Sequence, residues 1–286
     1  MQLSHDHPLL TDEALAEWNG GVTALCAALT AGPVLRHVAG RRLTMRVDGP
    51  DGPLLLKVFA RPRARGNARR LDALARSAAA PFVPRAIATD DSGHVGLVEW
   101  SAGTPLDSLD ADRVVEVAPE IGRVVRRLHE SGTEFDRDWT VGDELHQLRR
   151  RAVPSTVPLV DAVESDPQIL ALGFERLVSA HRDLHPRQVV VDGDRVRLID
   201  LDDAAQAPAG LDVGNFVAHV RRDAAIGRMP HEAVEGVIEG FLDGYGHCDE
   251  SVSHWERLAL IRLAGLAESR HERADWAREL RSLCSV

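Results

Sequence analysis

The densest run of ionisable side chains is His181-Arg182-Asp183-Leu184-His185-Pro186-Arg187-Gln188, followed by Leu198-Ile199-Asp200-Leu201-Asp202-Asp203. Between them lie two short β-type runs joined by Asp192-Gly193-Asp194, whose residue types suit a tight turn. A hairpin closed at that turn brings Asp183, in the loop before its first strand, and Asp200, at the end of its second, toward one point. Two convergent carboxylates with the side-chain amide of Gln188 make a hard oxygen site suited to Mg2+ and phosphate. Taken singly, residues 200–203 also read as a solvated acidic turn, and His181 and His185 as ordinary loop histidines. Order and spacing set them apart.

A second candidate stands far upstream. Of the 34 Lys and Arg residues, only Lys57 is a lysine. In a chain that uses Arg everywhere else, one retained ammonium marks a place for a compact point charge where a guanidinium fork would not serve.

These residues need elements to hold them. Residues 10–30 read as a helix interrupted near Asn19-Gly20-Gly21, with Thr11 or Asp12 as cap and Leu15, Trp18, Val22 and Leu25 as its stripe. Strands are expected over 34–38, 43–47 and 54–59, the last two joined by the breaker-dense Asp48-Gly49-Pro50-Asp51-Gly52-Pro53. An Arg/Ala-rich helix follows over 64–80, with Leu71, Leu74 and Ala78 inward; its Arg61–Arg70 stretch reads as a solvated face. Strands are expected again at 87–89 and 94–100. Ser101-Ala102-Gly103-Thr104-Pro105 reads as a hinge. Beyond it the pattern turns helical, over 112–131 (Val114, Val117, Ile121, Val124, Val125, Leu128), 141–152 and 166–177. After the strand–loop–strand that carries the acidic residues, the chain is helical again from about 212, with Leu258, Ile261, Leu263 and Leu266 on one side of its last stretch. A strand-rich first third, a hinge and a helix-rich remainder make an α+β pattern with two lobes: residues 1–99, a hinge at 100–105, and residues 106–286.

Composition narrows the classes. The 286 residues are 44% hydrophobic and 27% charged, an ordinary globular balance. No apolar run reaches the roughly 18 residues of a membrane span, and residues 1–8 are polar and His-rich with no secretory apolar core. Three distant cysteines, Cys26, Cys248 and Cys284, fit unpaired thiols in a reducing cytoplasm. A net charge of −10 and 4% aromatic residues argue against nucleic acid as partner and permit a cationic substrate. GxxxxGK[ST] and strand-following GxGxxG are both missing. Oligomeric state leaves no mark.

The run HRDLHPRQVVVDGDRVRLIDLDDA resembles the active-site signature of aminoglycoside phosphotransferases and related small-molecule kinases: His-x-Asp-x-His-x-x-Asn, a hairpin, then Ile-Asp-x-[Asp/Glu]-x-Ala. The resemblance extends over most of the chain. Residues 95–106, VGLVEWSAGTPL, are similar to the family's hinge strand and its exit, residues 207–214 to the segment carrying an Asp at a helix start, and Lys57 falls where the family places the lysine of its third strand. The resemblance implies a bilobal protein-kinase-like fold, with a β-rich nucleotide-binding lobe and a larger helical lobe holding the catalytic loop and acceptor site. It implies ATP (or GTP) and Mg2+ as cofactors and a hydroxyl of a small molecule as acceptor. Asp183 would take or orient the acceptor proton. Gln188 and Asp200 would hold the metal. Lys57 would neutralise the inner phosphates, and Glu99, Trp100, Ser101 and Ile199 would contact the nucleotide. His181 and Asp202 would support the loop, and Asp212 would cap a helix and brace it.

Four features depart from the family pattern. Gln188 stands for Asn, one methylene longer. No Glu lies between Glu17 and Glu99, so the helix after Lys57 offers Asp72 as its nearest acid. The nucleotide-covering loop, Ala39-Gly40-Arg41-Arg42, has one glycine. Arg182 and Arg187 replace smaller residues, Arg187 beside either the transferred phosphate or the acceptor. Three other readings compete with a small-molecule kinase: a weakly catalytic nucleotide-binding module acting with a partner, a kinase of peptide Ser/Thr, and a metal-dependent hydrolase built on His181, Asp183, His185 and Asp200.

Overall fold

Alternation along 43–47 puts Leu43, Met45 and Val47 on one face of a strand and Thr44 and Arg46 on the other. The computed structural model, which describes residues 1–246, 250–269 and 274–284, builds a five-stranded antiparallel sheet around that strand. Its members are β1 (Thr30–Val38), β2 (Arg42–Gly49), β3 (Gly52–Phe59), β4 (Ala86–Thr89) and β5 (Val95–Glu99), in the order β1-β2-β3-β5-β4. Gly49 pairs with Gly52 across the hairpin, as the breaker residues require. The chain divides into two compact units, Met1–Ala102 and Gly103–Val286.

In the first unit, three short helices, α1 (Pro8–Thr11), α2 (Glu13–Ala16) and α3 (Asn19–Cys26), bury Leu9, Leu15, Val22 and Cys26 against Leu43, Met45, Leu56, Val58, Val95 and Leu97 of the sheet. They replace the single interrupted helix expected over 10–30. Asp12 stands at the N-cap of α2 with the extended backbone usual there (φ −93°, ψ 104°) but without a side-chain capping bond. Its carboxylate instead accepts from the Gly40 N–H at 2.9 Å and the His37 ring at 2.8 Å. The glycine pair expected as the break forms the first turn of α3. Helix α4 (Ala64–Leu74) covers the opposite face of the sheet: a Cβ on Gly96, which pairs with Lys57, would lie 3.3 Å from the Ala64 methyl. It ends six residues short of the expected 80. Ser77 Oγ donates to the Leu74 carbonyl there, Ala78 is exposed, and Ala79 takes the buried position.

In the second unit, α5 (Ala111–His129) is capped by Asp110, whose carboxylate accepts from the Arg113 N–H at 2.8 Å, and buries the whole stripe from Val114 to Leu128. Helix α6 (Val141–Arg151) opens on a capping box of Thr140 and Asp143. Helix α7 (Val157–Glu164) was not anticipated, and α8 (Pro167–Ala171) with a single 3-10 turn at Leu172–Phe174 is all that forms of the helix expected over 166–177. Strand β6 (Thr104–Pro105) pairs with β8 (Val189–Asp192), which pairs with β9 (Arg195–Leu198); β7 (Leu177–Ala180) pairs with β10 (Ala205–Pro208), a strand the Ala-rich sequence does not announce. Helices α9 (Ala209–Ala225), α10 (His231–Tyr245), α11 (Ser251–Glu268) and α12 (Ala274–Leu283) complete the unit; α9, α11 and α12 share a core that contains Trp255, and α10 packs on α5. Leu258, Ile261 and Leu263 are buried there. Cys26 and Cys284 are buried and free, and Cys248 lies outside the described residues. Among the described residues no helix is long and apolar enough to cross a membrane.

Helices α5 and α10 approach almost backbone to backbone. A Cβ on Gly244 would sit 1.9 Å from the Pro119 carbonyl oxygen, and one on Gly122 2.1 Å from the Phe241 carbonyl oxygen. Gly236, on the same helix as Gly244, faces only the Val115 methyls at 3.4 and 3.5 Å. Urea unfolding should therefore split the pair. G244A should destabilise by about 2 kcal/mol or more through overpacking, whereas G236A should be neutral or stabilising by up to about 1 kcal/mol through helix propensity.

Candidate active site

The loop between β7 and β8 is shaped by one buried carboxylate. Asp212, in the first turn of α9, is fully buried and accepts the N–H of His181 at 2.6 Å and of Arg182 at 2.7 Å. The Nε2 of His129, at the end of α5, reaches the same carboxylate at 3.0 Å, and Tyr245 holds the other ring nitrogen at 2.9 Å. Burial pushes the Asp212 carboxyl up, but the hydrogen bonds and positive charge of His129 and His181 outweigh it and hold it below the ordinary range. Asp212 does not cap a helix as expected. Pro208 occupies that position, and the carboxylate lies inside α9. What it fixes is Arg182 at φ 70°, one of two non-glycine residues with positive φ among those described. The other is Asp200, at φ 60° and ψ 47°. Each left-handed residue costs on the order of 1–3 kcal/mol and persists only where its surroundings enforce it.

The enforcement at Asp200 comes from its neighbours. Ile199 donates its N–H to the Gln188 carbonyl at 2.9 Å, and its own carbonyl accepts from Nε2 of the buried His181 at 2.9 Å. The Gln188 amide thereby lies 3.4 Å from the Asp200 carboxylate, and Asp202 is buried in the 3-10 turn that follows. Half a turn of that amide presents its oxygen where the nitrogen now stands, so the pair offers the hard oxygen donors that Mg2+ prefers. Asp183 is ringed by protein atoms but keeps 45% of its side-chain surface open. Burial and then the charges of Asp200 and Asp203 raise its carboxyl, against Arg262 and His181, which lower it. His185 Nε2 lies 3.9 Å from the Asp183 carboxylate. Its Nδ1 accepts the Arg187 N–H at 3.2 Å, and its ring stacks on His219 at 4.8 Å between centroids. Burial first, then His181, Arg222, Arg187 and Arg262, push the His185 ring down to about 3.

Several supporting residues were not expected. Asn215 donates to the Leu184 carbonyl at 2.6 Å and accepts from Arg262, and Arg182 lays its guanidinium 3.8 Å from the centre of the Trp139 ring. Asp212, Asn215 and His219 share one face of α9, a spacing legible once that helix is recognised. The hydrolase alternative finds little support: one ring nitrogen each of His181 and His185 is taken by a backbone group, and among the described residues no three His, Cys, Asp or Glu side chains are placed to hold a metal.

The remaining candidates belong to the first unit. Lys57 is buried in β3, paired with Thr44 and Gly96. Asp72 is exposed; the inward polar residue of α4 is the buried Asn67, in step with Leu71 and Leu74. Glu99 gives its N–H to the Arg85 carbonyl and takes the Arg85 N–H on its carboxylate, Trp100 lies under the Arg46 guanidinium at 5.6 Å, and Ser101 Oγ is buried without a hydrogen-bond partner. Arg61, Arg63, Arg65 and Arg69 are exposed, as a solvated face requires.

An antiparallel sheet unit followed by a helical unit with this loop and hairpin is the protein-kinase-like fold. The likeness to solved structures is extensive. An aminoglycoside phosphotransferase of Streptomyces rimosus, in complex with ADP and streptomycin, is 20% identical over 88% of this chain and 98% of its own, with a TM-score of 0.67. The choline kinase LicA of Streptococcus pneumoniae is 13% identical over 95% of this chain and 98% of its own, TM-score 0.66. The amicoumacin kinase hAmiN, in complex with AMP-PNP, Ca2+ and Ami, is 13% identical over 95% and 93%, TM-score 0.66. No curated protein sequence matches. The chain belongs to the phosphotransferase enzyme family, whose profile matches residues 36–261.

Two outcomes follow from this geometry. D212N should lower stability by about 2–4 kcal/mol in urea unfolding, because at least one buried N–H loses its acceptor. The histidine pair sets a pH dependence. His185 and His219 are held neutral in the folded chain, so the unfolded chain binds more protons once pH falls below about 6.5, and stability falls with pH. His185 alone accounts for about 1 kcal/mol between about pH 6.5 and 5.5. Thermal melts over that window should show the decline, and H219Q should flatten it.

Proposed function

We propose that the chain transfers the γ-phosphoryl group of ATP to a hydroxyl of a small molecule, such as a sugar, an amino-sugar, an antibiotic or a related metabolite. The observation that carries this reading is the convergence of Asp183, Gln188 and Asp200 on a loop held by Asp212, His129 and His181. The structural relatives described with ADP or AMP-PNP support a nucleotide donor, with GTP as the alternative to ATP.

In this mechanism Asp183 accepts a hydrogen bond from the acceptor hydroxyl and orients its oxygen toward the γ-phosphorus. A new P–O bond forms as the bond to the bridging oxygen of ADP breaks, and the hydroxyl proton passes to Asp183. Its raised carboxyl makes it a better proton acceptor than a solvated aspartate. Gln188 and Asp200 would hold Mg2+, which when bound neutralises charge on the phosphates. Lys57 would steady the inner phosphates, with Glu99, Trp100, Ser101 and Ile199 at the base and ribose. His185, kept neutral, adds no positive charge that would weaken Asp183 as a base. The odd cysteine count and the buried thiols of Cys26 and Cys284 support a cytoplasmic location.

A second reading, a nucleotide-binding module of little turnover, draws on Asn67, whose buried Nδ2 has no partner where the fold's relatives are expected to offer an acid. One experiment separates the two. With Mg·ATP and a panel of hydroxylated acceptors, the wild type should form ADP and a phosphorylated product. D183N should lose at least about a hundredfold in kcat while retaining its ATP-induced rise in Tm. An ATP-induced Tm rise without acceptor-dependent ADP in the wild type would favour the module.

A further inference from the structure

The chain carries a net charge of −10, yet three arginines gather beside the catalytic loop. Within the second unit two cavities share Arg187 and Arg228. The larger, about 330 Å3, is lined by apolar side chains, among them Leu106, Val114, Val220 and Met229, and by the charged Asp107 and Asp223 with the two arginines. The smaller, about 120 Å3, adds Arg222 and Trp276 with Leu263 and Leu266.

Three guanidiniums meet here against two carboxylates. Asp107 holds Nε of Arg187 at 2.8 Å, and Asp223 holds Arg222 at 2.6 and 3.0 Å. Arg228 lies 5.9 Å from the centre of the Trp276 ring, and among the described residues no carboxylate is within ion-pair distance of it. Only one edge of the Arg187 fork is engaged, so its outer N–H groups remain for a ligand. The cavities lie beside the catalytic loop: Arg187, which lines both, is a loop residue whose backbone N–H donates to the His185 ring, and that ring lies 3.9 Å from the Asp183 carboxylate.

We propose that the acceptor is an anionic alcohol: a hydroxyl for Asp183, an apolar body for the larger cavity, and a carboxylate or phosphate gripped by Arg187 and Arg228. Guanidinium forks match both oxyanions bidentately, and a mostly apolar pocket with a few fixed charges is the usual form of a small-molecule site. The inference rests on the phosphotransferase reading and narrows it, away from the cationic acceptor that the overall charge permits.

A matched series tests it: 6-hydroxyhexanoate, 6-hydroxyhexyl phosphate, hexane-1,6-diol and 6-aminohexan-1-ol share one chain and one hydroxyl and differ in head group. Binding to the full chain with Mg·ADP present, read by calorimetry, should favour the two anions over the diol and the amine by at least about tenfold. R228Q and R187Q should each shrink that ratio. Whichever anion binds more tightly tells carboxylate from phosphate. Equal affinity across the series (absence of binding included), preference for the amine, or a ratio untouched in R228Q overturns the proposal. ADP formation with Mg·ATP is scored separately. Turnover of the amine alone removes the anionic acceptor and leaves the phosphotransferase standing. Anion binding with no turnover of any alcohol removes the phosphotransferase reading and leaves an anion-binding cleft.

Discussion

The contact on which the site depends is the buried carboxylate of Asp212 under two consecutive backbone N–H groups. A left-handed Arg182 is unfavourable by itself, and an isolated β7–β8 connection would relax out of it. Two charge-assisted hydrogen bonds, each worth more than a neutral one, hold the turn against that tendency. They also explain why a charge is tolerated at full burial: both oxygens are satisfied, with His129 as the third donor. The strain is enforced from three helices at once, since α9 supplies Asp212, α5 supplies His129, and α10 supplies the Tyr245 hydroxyl that orients the imidazole. The near-contact of α5 and α10 at Gly122 and Gly244 is then part of the same device, because it fixes the helix whose last residue is His129.

A second consequence is electrostatic. Phosphoryl transfer asks the protein for position and charge, not for covalent chemistry. On this loop His185 is removed as a charge and kept as a shape. His181 braces Ile199, and His185 lies against His219 with its ring neutral. Positive charge is delegated to arginines, which do not titrate in any ordinary pH range. The pH response of the fold therefore lies with the histidine stack.

Much of this was legible in the sequence because it rests on short-range order. The spacing from His181 to Asp200 encodes loop, strand, turn and strand, and each step is fixed by residue type: Asp192-Gly193-Asp194 must turn, and Val189, Val190 and Val191 must extend. Helix α5 announces itself through six apolar residues at helical spacing. What was not legible depends on distant partners. Asp12 divides α1 from α2 with its carboxylate taken by Gly40 and His37. Strand β10 is made of Ala205, Gln206, Ala207 and Pro208, and exists because β7 pairs with it. Asp72 looked like the acid of α4, but the phase of Leu71 and Leu74 turns Asn67 inward instead. Nor does net charge, a sum over the whole surface, reveal that Arg187, Arg222 and Arg228 gather at one place.

Gln188 shows how such a site absorbs a departure from its family's pattern. An Asn at that position reaches a metal with a short, stiff side chain; a Gln adds a methylene and a rotatable bond, whose freedom must be lost on ordering. Here that freedom is already restricted. The backbone of Gln188 is held at both ends, its N–H to His185 and its carbonyl to Ile199, the side chain is buried, and its amide rests on the Asp200 carboxylate. The extra methylene is thus ordered in the folded chain before any nucleotide arrives, so little further ordering is left for the binding step. The same hydrogen bonds that set Asp200 in its left-handed conformation set the amide beside it. On the proposed assignment of Gln188 to the metal, the hairpin, and not the side chain's own stiffness, determines where its oxygen can go.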